Sequence, residues 1–287
     1  MRRKNKLIRE KPLMKRKIRY TYPKGLRKAL TFSYDDGETG DRRLVGLFNE
    51  YSLKGTFHLN DGKFDTGNYI SASEVRELYK TQEVACHGVW HKHPCIMSTD
   101  EARIEYIDNR AALEKLTGTM VRGLSYAYGE YSDEIIDVAR ACGIVYSRTV
   151  QSTYGFQIPA DFMKWHPTIW HGDERLNEMI DNFLNVPDYM ELPLLYIWGH
   201  SFEFDRNDNW KIIEEAAKRL AHHGDTWYAT NMEIYEYISA VRSLVYSADG
   251  KSIYNPSAVT VWAEDPDSGT YNLRELYEIG PGQTVGI

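Results

Sequence analysis

Short β-rich runs alternate along this chain with segments whose apolar residues recur at helical spacing. The strand-like runs are "RKALTFSYD", "KGTFHLN", "EVACHG", "RGLSYAYG", "GIVYSRTV", "ELPLLYIWGH" and "DTWYATN". Between the first two, "DRRLVGLFNEYSL" places Leu44, Val45, Leu47, Phe48 and Tyr51 near the 3.6-residue period of a helix. "SASEVRELYKT" offers Ser71 or Ser73 as an N-cap with Glu74 in the first turn, and "STDEARIEYIDNRAALEKLTG" runs from a cap at Ser98 or Thr99 to a stop at Gly118. "SDEIIDVARACG", "ERLNEMIDNFL" and "NDNWKIIEEAAKRLAHHG" follow the same logic. Seven strands alternating with helices predict an α/β fold built on a parallel sheet, open or closed into a barrel.

The C-terminal stretch reads differently. Turn signals at Asp249-Gly250, Asn255-Pro256 and Asp267-Ser268-Gly269 separate short β-rich runs. This predicts a small β appendage over 246–287, packed on a main domain over 21–245. Residues 1–20 form a third region. Ten Lys/Arg and one Glu in residues 1–19 give +9, so the net charge of −6 hides −15 on the remainder. The segment is expected to be a disordered, solvated tail. No apolar stretch follows its charges as a secretory signal requires, and Met14 is a second possible start.

Composition narrows the function classes. A chain of 287 residues supports one large core. No apolar run reaches the roughly 18–20 residues of a membrane helix, and no arginine-and-aromatic patch supports nucleic-acid binding. The expectation is a cytoplasmic protein with neither a nucleic-acid partner nor a membrane span. Three cysteines, Cys86, Cys95 and Cys142, lack paired spacing and are expected to be reduced. Oligomeric state is not legible.

The candidate chemistry lies at strand ends. Asp35 and Asp36 close the first run, and adjacent carboxylates repel unless solvent, a cation or a shared proton intervenes. His87 ends "EVAC" with His91 four residues on. Tyr126 and Tyr128 follow "RGLS", and His200 ends "LLYIWGH". In a parallel α/β barrel the carboxyl ends of the strands share one face. Two imidazoles at i and i+4 converge on one cation if "HGVWH" forms a helical turn, and an Asp from another strand end completes an Asp-His-His metal site. His93 is a rival ligand, less natural at its spacing.

The ordered set "TFSYDDG", "HGVWHKHP", "YAYGEYSDE" and "LLYIWGH" resembles the polysaccharide deacetylases, the NodB-homology carbohydrate esterases of family four, over roughly residues 28–240. The resemblance implies a distorted (β/α) barrel of about seven parallel strands and a divalent metal, most often Zn2+, with Co2+, Ni2+ or Mn2+ able to replace it. It implies that Asp35 is the general base, that Asp36, His87 and His91 hold the metal, and that His200 protonates the leaving group. It implies that the Tyr128 backbone N–H helps hold the oxyanion. The substrate implied is an N-acetylated, or in some branches O-acetylated, sugar or glycan.

Three departures bear on this reading. "SYAY" at Ser125–Tyr128 lacks the arginine and proline of the family's third motif. Arg148, ending "YSR", either supplies that guanidinium or is an ordinary surface or interhelical arginine. The fourth motif is absent. "DFMKWHPTIWHGD" stands in its place, and either contributes Trp165, His166 or His171 to the pocket or is a structural loop. Tyr34 replaces a phenylalanine-like residue. Glu203, Asp205 and Arg206 line the rim or cap the helix after His200. Two alternatives stand beside deacetylation: hydrolysis of a cyclic ureide or imide on the same scaffold, and carbohydrate binding without turnover.

Overall fold

The computed structural model describes residues 18–269 and 274–287. Along the chain come β1 (Arg19–Thr21), β2 (Lys28–Asp36), α1 (Asp41–Glu50), β3 (Gly55–Leu59), α2 (Val75–Leu78), β4 (Glu83–Cys86) and α3 (Thr99–Thr117). Next are β5 (Gly123–Ser125), α4 (Asp133–Ala141), β6 (Tyr146–Arg148), β7 (Ile169–Trp170), α5 (Leu176–Leu184) and β8 (Leu194–His200). Then follow α6 (Phe202–Arg206), α7 (Lys211–Leu220), β9 (Thr226–Tyr228) and α8 (Asn231–Ser243). The last strands are β10 (Val245–Tyr246), β11 (Ser252–Tyr254), β12 (Val261–Glu264), β13 (Leu276–Ile279) and β14 (Thr284–Gly286).

One parallel sheet runs β6-β5-β4-β3-β2-β8-β7, and β9 pairs with the start of β2. Period-2 alternation in β2 explains how it is buried on both faces. Leu30, Phe32 and Tyr34 point to the helical layer, where they share a core with Leu44, Val45 and Phe48 of α1. The intervening Thr31, Ser33 and Asp35 point into the curl of the sheet. There they bond to Asn231 (Thr31) and to Arg148 (Ser33 and Asp35). The sheet is thus the curled (β/α) barrel expected from the sequence.

The two outer strands meet in one short segment. Trp165 N–H bonds to Ser147 C=O of β6, and Thr149 N–H bonds back to Trp165 C=O, both at 3.0 Å. A few residues on, Thr168 and His171 N–H bond to Tyr196 and Trp198 C=O of β8 at 2.9 and 2.8 Å. This segment includes β7, which is too short to stand out in the sequence.

The helix signals act as expected where caps are local. Ser98 and Glu101 form a reciprocal capping box at the start of α3, and Gly118 ends it in the left-handed region at φ 77°. Ser71 and Glu74 make the same box ahead of α2. The sequence reading missed α8, although Thr230 and Glu233 form its capping box and Ile234, Tyr237 and Ile238 give it a buried stripe.

Residues 1–17 of the expected tail lie outside the described residues. Arg19 and Tyr20, expected in that tail, are instead in β1, paired antiparallel with β12. The C-terminal stretch forms two three-stranded sheets, β1-β12-β13 and β10-β11-β14. Among the described residues no helix is long and apolar enough to cross a membrane.

Candidate active site

All strands of the main sheet are parallel, so their carboxyl ends share a rim, and a cavity of about 540 Å³ opens there. Asp35, Asp36, His87, His91, Tyr126, Tyr128, Trp198 and His200 line it. That volume lies within the range of small-molecule sites.

Asp36, His87 and His91 offer ligand atoms that all lie within 4.8 Å of one another. Asp36 Oδ1 is 3.7 Å from His87 Nε2 and 3.6 Å from His91 Nε2. Two ligands on one tetrahedral zinc, with bonds of about 2.0–2.1 Å, stand about 3.4 Å apart. Asp36 Oδ1 and His87 Nε2 are both buried without a hydrogen-bond partner, which is unfavourable unless a cation meets them. His87 Nδ1 lies 2.8 Å from Ser125 C=O. An N–H there fixes the tautomer and leaves the Nε2 lone pair free for an ion. Burial, reinforced by His87, pushes the His91 imidazole down towards its neutral, ligating form.

The two histidines do not converge through a helical turn. Residues 87–93 form an irregular loop, turned by Gly88 at φ 79° and His91 at φ 56°. Side chains satisfy its backbone, as a buried loop requires. Asn60 Nδ2 donates to His87 and Gly88 C=O, each at 2.8 Å. Asn109 Oδ1 accepts from His87 N–H at 3.0 Å. Glu105, buried on α3, accepts from Trp90 N–H at 2.9 Å and pairs with Lys92 at 3.1 Å. A Cβ on Gly88 would sit 3.3 Å from Glu105 Oε2, so the positive φ and the crowding both favour glycine.

Asp35 is 3% exposed. Arg148, fully buried at the end of β6, bonds to its Oδ2 and to Ser33 Oγ at 3.0 Å and Thr149 C=O at 2.9 Å. Ser125 Oγ donates to Asp35 Oδ1 at 3.0 Å. Burial pushes the Asp35 carboxyl up. Arg148, helped by His87, His58 and His200, outweighs it and holds the group well below the usual carboxylate range. His58, beside Asp35 on β3, is kept neutral by burial, down to about 3. The Arg148 guanidinium also lies 4.5 Å from the Trp198 ring centre.

His200 Nδ1 is 3.4 Å from Glu203 Oε2. Burial depresses the His200 imidazole, but Glu203, Asp35 and Asp36 outweigh it and raise the group above its usual value. Burial likewise pushes Glu203 up, and the His171 and His200 imidazoles beside it, at 3.2 and 3.4 Å, win and hold it ionised well below its usual value. Glu203, left open in sequence between rim and cap, sits behind the His200 imidazole. An acid three residues after a strand-end histidine, on the first turn of a helix, was the available signal.

The remaining expectations divide. Tyr128, at φ 58°, is half exposed and stacks on His93 at 3.7 Å between ring centres. His93 is turned to Glu130 at 3.0 Å, away from the ligand triad. Tyr126 reaches the cavity wall, but its hydroxyl donates to Met163 C=O at 3.0 Å. Trp165 is not a pocket residue. It is 1% exposed and packs among Tyr146, Phe162 and Tyr196, because its backbone bonds to β6 turn the indole into the apolar core. His166 bonds to Thr149 Oγ1 at 2.6 Å and lines a different cavity. Asp205 accepts from Trp210 Nε1 at 2.7 Å.

One rim of the parallel barrel thus carries an Asp-His-His triad that could hold a metal ion, an arginine-held carboxylate and a carboxylate-backed histidine. The polysaccharide deacetylase family matches residues 23–147. The match ends just before Arg148, so Arg148, His171, His200 and Glu203 lie beyond it. None of the curated proteins matches the chain. Among solved structures, a putative polysaccharide deacetylase from Mycobacterium smegmatis is similar at TM-score 0.61 and 17% identity, over 78% of this chain and 94% of that one. The Xyl-CE4 domain of a multidomain xylanase from the hindgut metagenome of Trinervitermes trinervoides is similar at TM-score 0.50 and 16% identity, over 74% and 92%. The Streptococcus pyogenes deacetylase PplD is matched over 42% of this chain and 55% of its own, at TM-score 0.41 and 18% identity, so the chain spans about half of that protein. The chain therefore resembles the polysaccharide deacetylases in family pattern and in fold.

Proposed function

We propose that this protein is a metal-dependent hydrolase that removes acetyl groups from an N-acetylated, or O-acetylated, sugar or glycan. The observation that carries the reading is the pair of buried, unpartnered ligand atoms, Asp36 Oδ1 and His87 Nε2, beside His91. Asp36, His87 and His91 would hold the ion, and a two-nitrogen, one-oxygen set with open positions suits Zn2+, with Co2+, Ni2+ or Mn2+ as replacements. Such an ion lowers the pKa of a water molecule and polarises an acyl carbonyl.

The chain's own groups supply the rest. Asp35, kept ionised and oriented by Arg148, accepts the proton of the attacking water. A carboxylate held so low is a weak base, so it suits a water already made acidic. His200, with its Nδ1 side towards Glu203, carries the proton that the departing amine or alkoxide needs. The Tyr128 backbone, turned into the left-handed region, is the candidate donor to the oxyanion. Rim aromatics such as Tyr128 suit the apolar faces of a sugar.

The test is metal content followed by turnover. We expect about one equivalent of divalent metal per chain, lost in Asp36→Ala and His87→Ala, and acetate release from acetamido sugars. Asp35→Asn is expected to keep the metal and lose turnover by about 10²–10⁴-fold. A protein that takes up no added zinc and releases no acetate would overturn the proposal and leave a carbohydrate-binding role.

A further inference from the structure

Behind His200 lies a buried chain of polar groups that the reaction as described does not use. His171, just after β7, is 2% exposed. Its Nδ1 is 3.3 Å from the Tyr34 hydroxyl, and its Nε2 is 3.2 Å from Glu203 Oε2. The same carboxylate oxygen accepts from Trp170 Nε1 at 3.0 Å and from His200 N–H at 3.3 Å, and faces His200 Nδ1. The tautomer follows from the partners. A carboxylate only accepts, so His171 Nε2 carries the proton, and Nδ1 is left to accept from the Tyr34 O–H.

Two further observations mark the arrangement as built. The His171 ring lies between Tyr34 and Phe204, with ring centres at 5.6 and 4.2 Å. A Cβ on Gly199 would fall 2.1 Å from His171 Nδ1, so the glycine before His200 leaves room for this imidazole. Glu203 also has a competing partner, Arg206, 3.7 Å from its other oxygen. Without His171, that oxygen keeps only Trp170 Nε1 and the His200 backbone N–H against a swing of the carboxylate towards Arg206.

We infer that His171, with its tautomer set by Tyr34, is a positioning residue that holds Glu203 against His200 and so keeps the leaving-group acid aligned. The inference rests on His200 being that acid. Tyr34 and His171, both departures from the family's pattern, and Glu203 are then parts of one device.

The test uses leaving groups of different need. An acetamido sugar expels an amine that must be protonated, whereas 4-nitrophenyl acetate expels a stable phenolate that needs no acid. His171→Phe keeps a flat ring between Tyr34 and Phe204, and Tyr34→Phe removes only a hydroxyl. In the intact, metal-loaded chain, we expect kcat on the acetamido sugar to fall about 10- to 100-fold in His171→Phe, the range typical of outer supporting partners. A smaller fall is expected in Tyr34→Phe. Rates on 4-nitrophenyl acetate and metal content should stay near wild type in both. Equal losses on the two substrates, or none on either, would overturn the inference while leaving deacetylation intact. A wild type inert towards the acetamido sugar would instead overturn the functional reading on which it rests.

Discussion

At the scale of single residues the site is governed by buried charges and their partners. Arg148 and Asp35 are both almost fully buried, and breaking such a pair leaves one uncompensated charge. Arg148→Met should therefore destabilise the protein by about 3–5 kcal/mol at neutral pH. The sign of the pH dependence follows from the depressed Asp35 carboxyl. Its contribution is present above the unfolded value near 3.9 and is lost as pH falls through the lower folded value. The gap between wild type and variant should thus narrow below about pH 4. Urea unfolding across that range checks it, and a gap independent of pH would mean Arg148 acts by packing alone.

Elements are locked together by polar side chains at their ends. Asp41, in the first turn of α1, is fully buried and accepts from Tyr79 Oη at 2.6 Å and Ser201 Oγ at 2.5 Å. It thereby ties α1 to the residue after α2 and to the residue after His200. Burial pushes its carboxyl up to about 7, although both hydroxyl bonds oppose the shift. A raised acid stabilises fully below its unfolded value, and that contribution is lost as pH rises through about 7. Asp41→Asn cannot ionise, so its melting temperature relative to wild type should rise between about pH 4 and pH 7 and level off above that. Thermal melts at matched ionic strength decide this; a constant difference would place the ionisation elsewhere.

Over the whole molecule, the segment carrying Trp165 joins the two edges of the curled sheet. Trp165→Ala removes a large buried ring from the core around Tyr146, Phe162 and Tyr196, and should lower stability by about 3–5 kcal/mol. The candidate metal ligands sit on β2 and the loop after β4, not on that segment. Metal content per folded chain should therefore be unchanged, measured by elemental analysis of the purified variant. Loss of metal together with stability would show that the seam also shapes the triad.

What the sequence determined by itself is what local chemistry controls. Capping boxes at Ser71 and Ser98 and the apolar spacing of α1 are interactions within a few residues, so they are readable in order along the chain. The parallel sheet and the strand-end placement of Asp35, Asp36, His87 and His200 follow from the same alternation. Long-range geometry was not legible. β7 has only two residues and is a strand because β8 bonds to it. Trp165 looked like a pocket aromatic until its backbone pairing with β6 turned it inward. His87 and His91 converge through a loop held by Asn60, Asn109 and Glu105, none of them near in sequence. Above all, alternation along β2 does not say what its polar face meets. Only closure of the curl makes it an interior, where Ser33 and Asp35 must find Arg148, since a buried charge needs a partner that no local pattern can name.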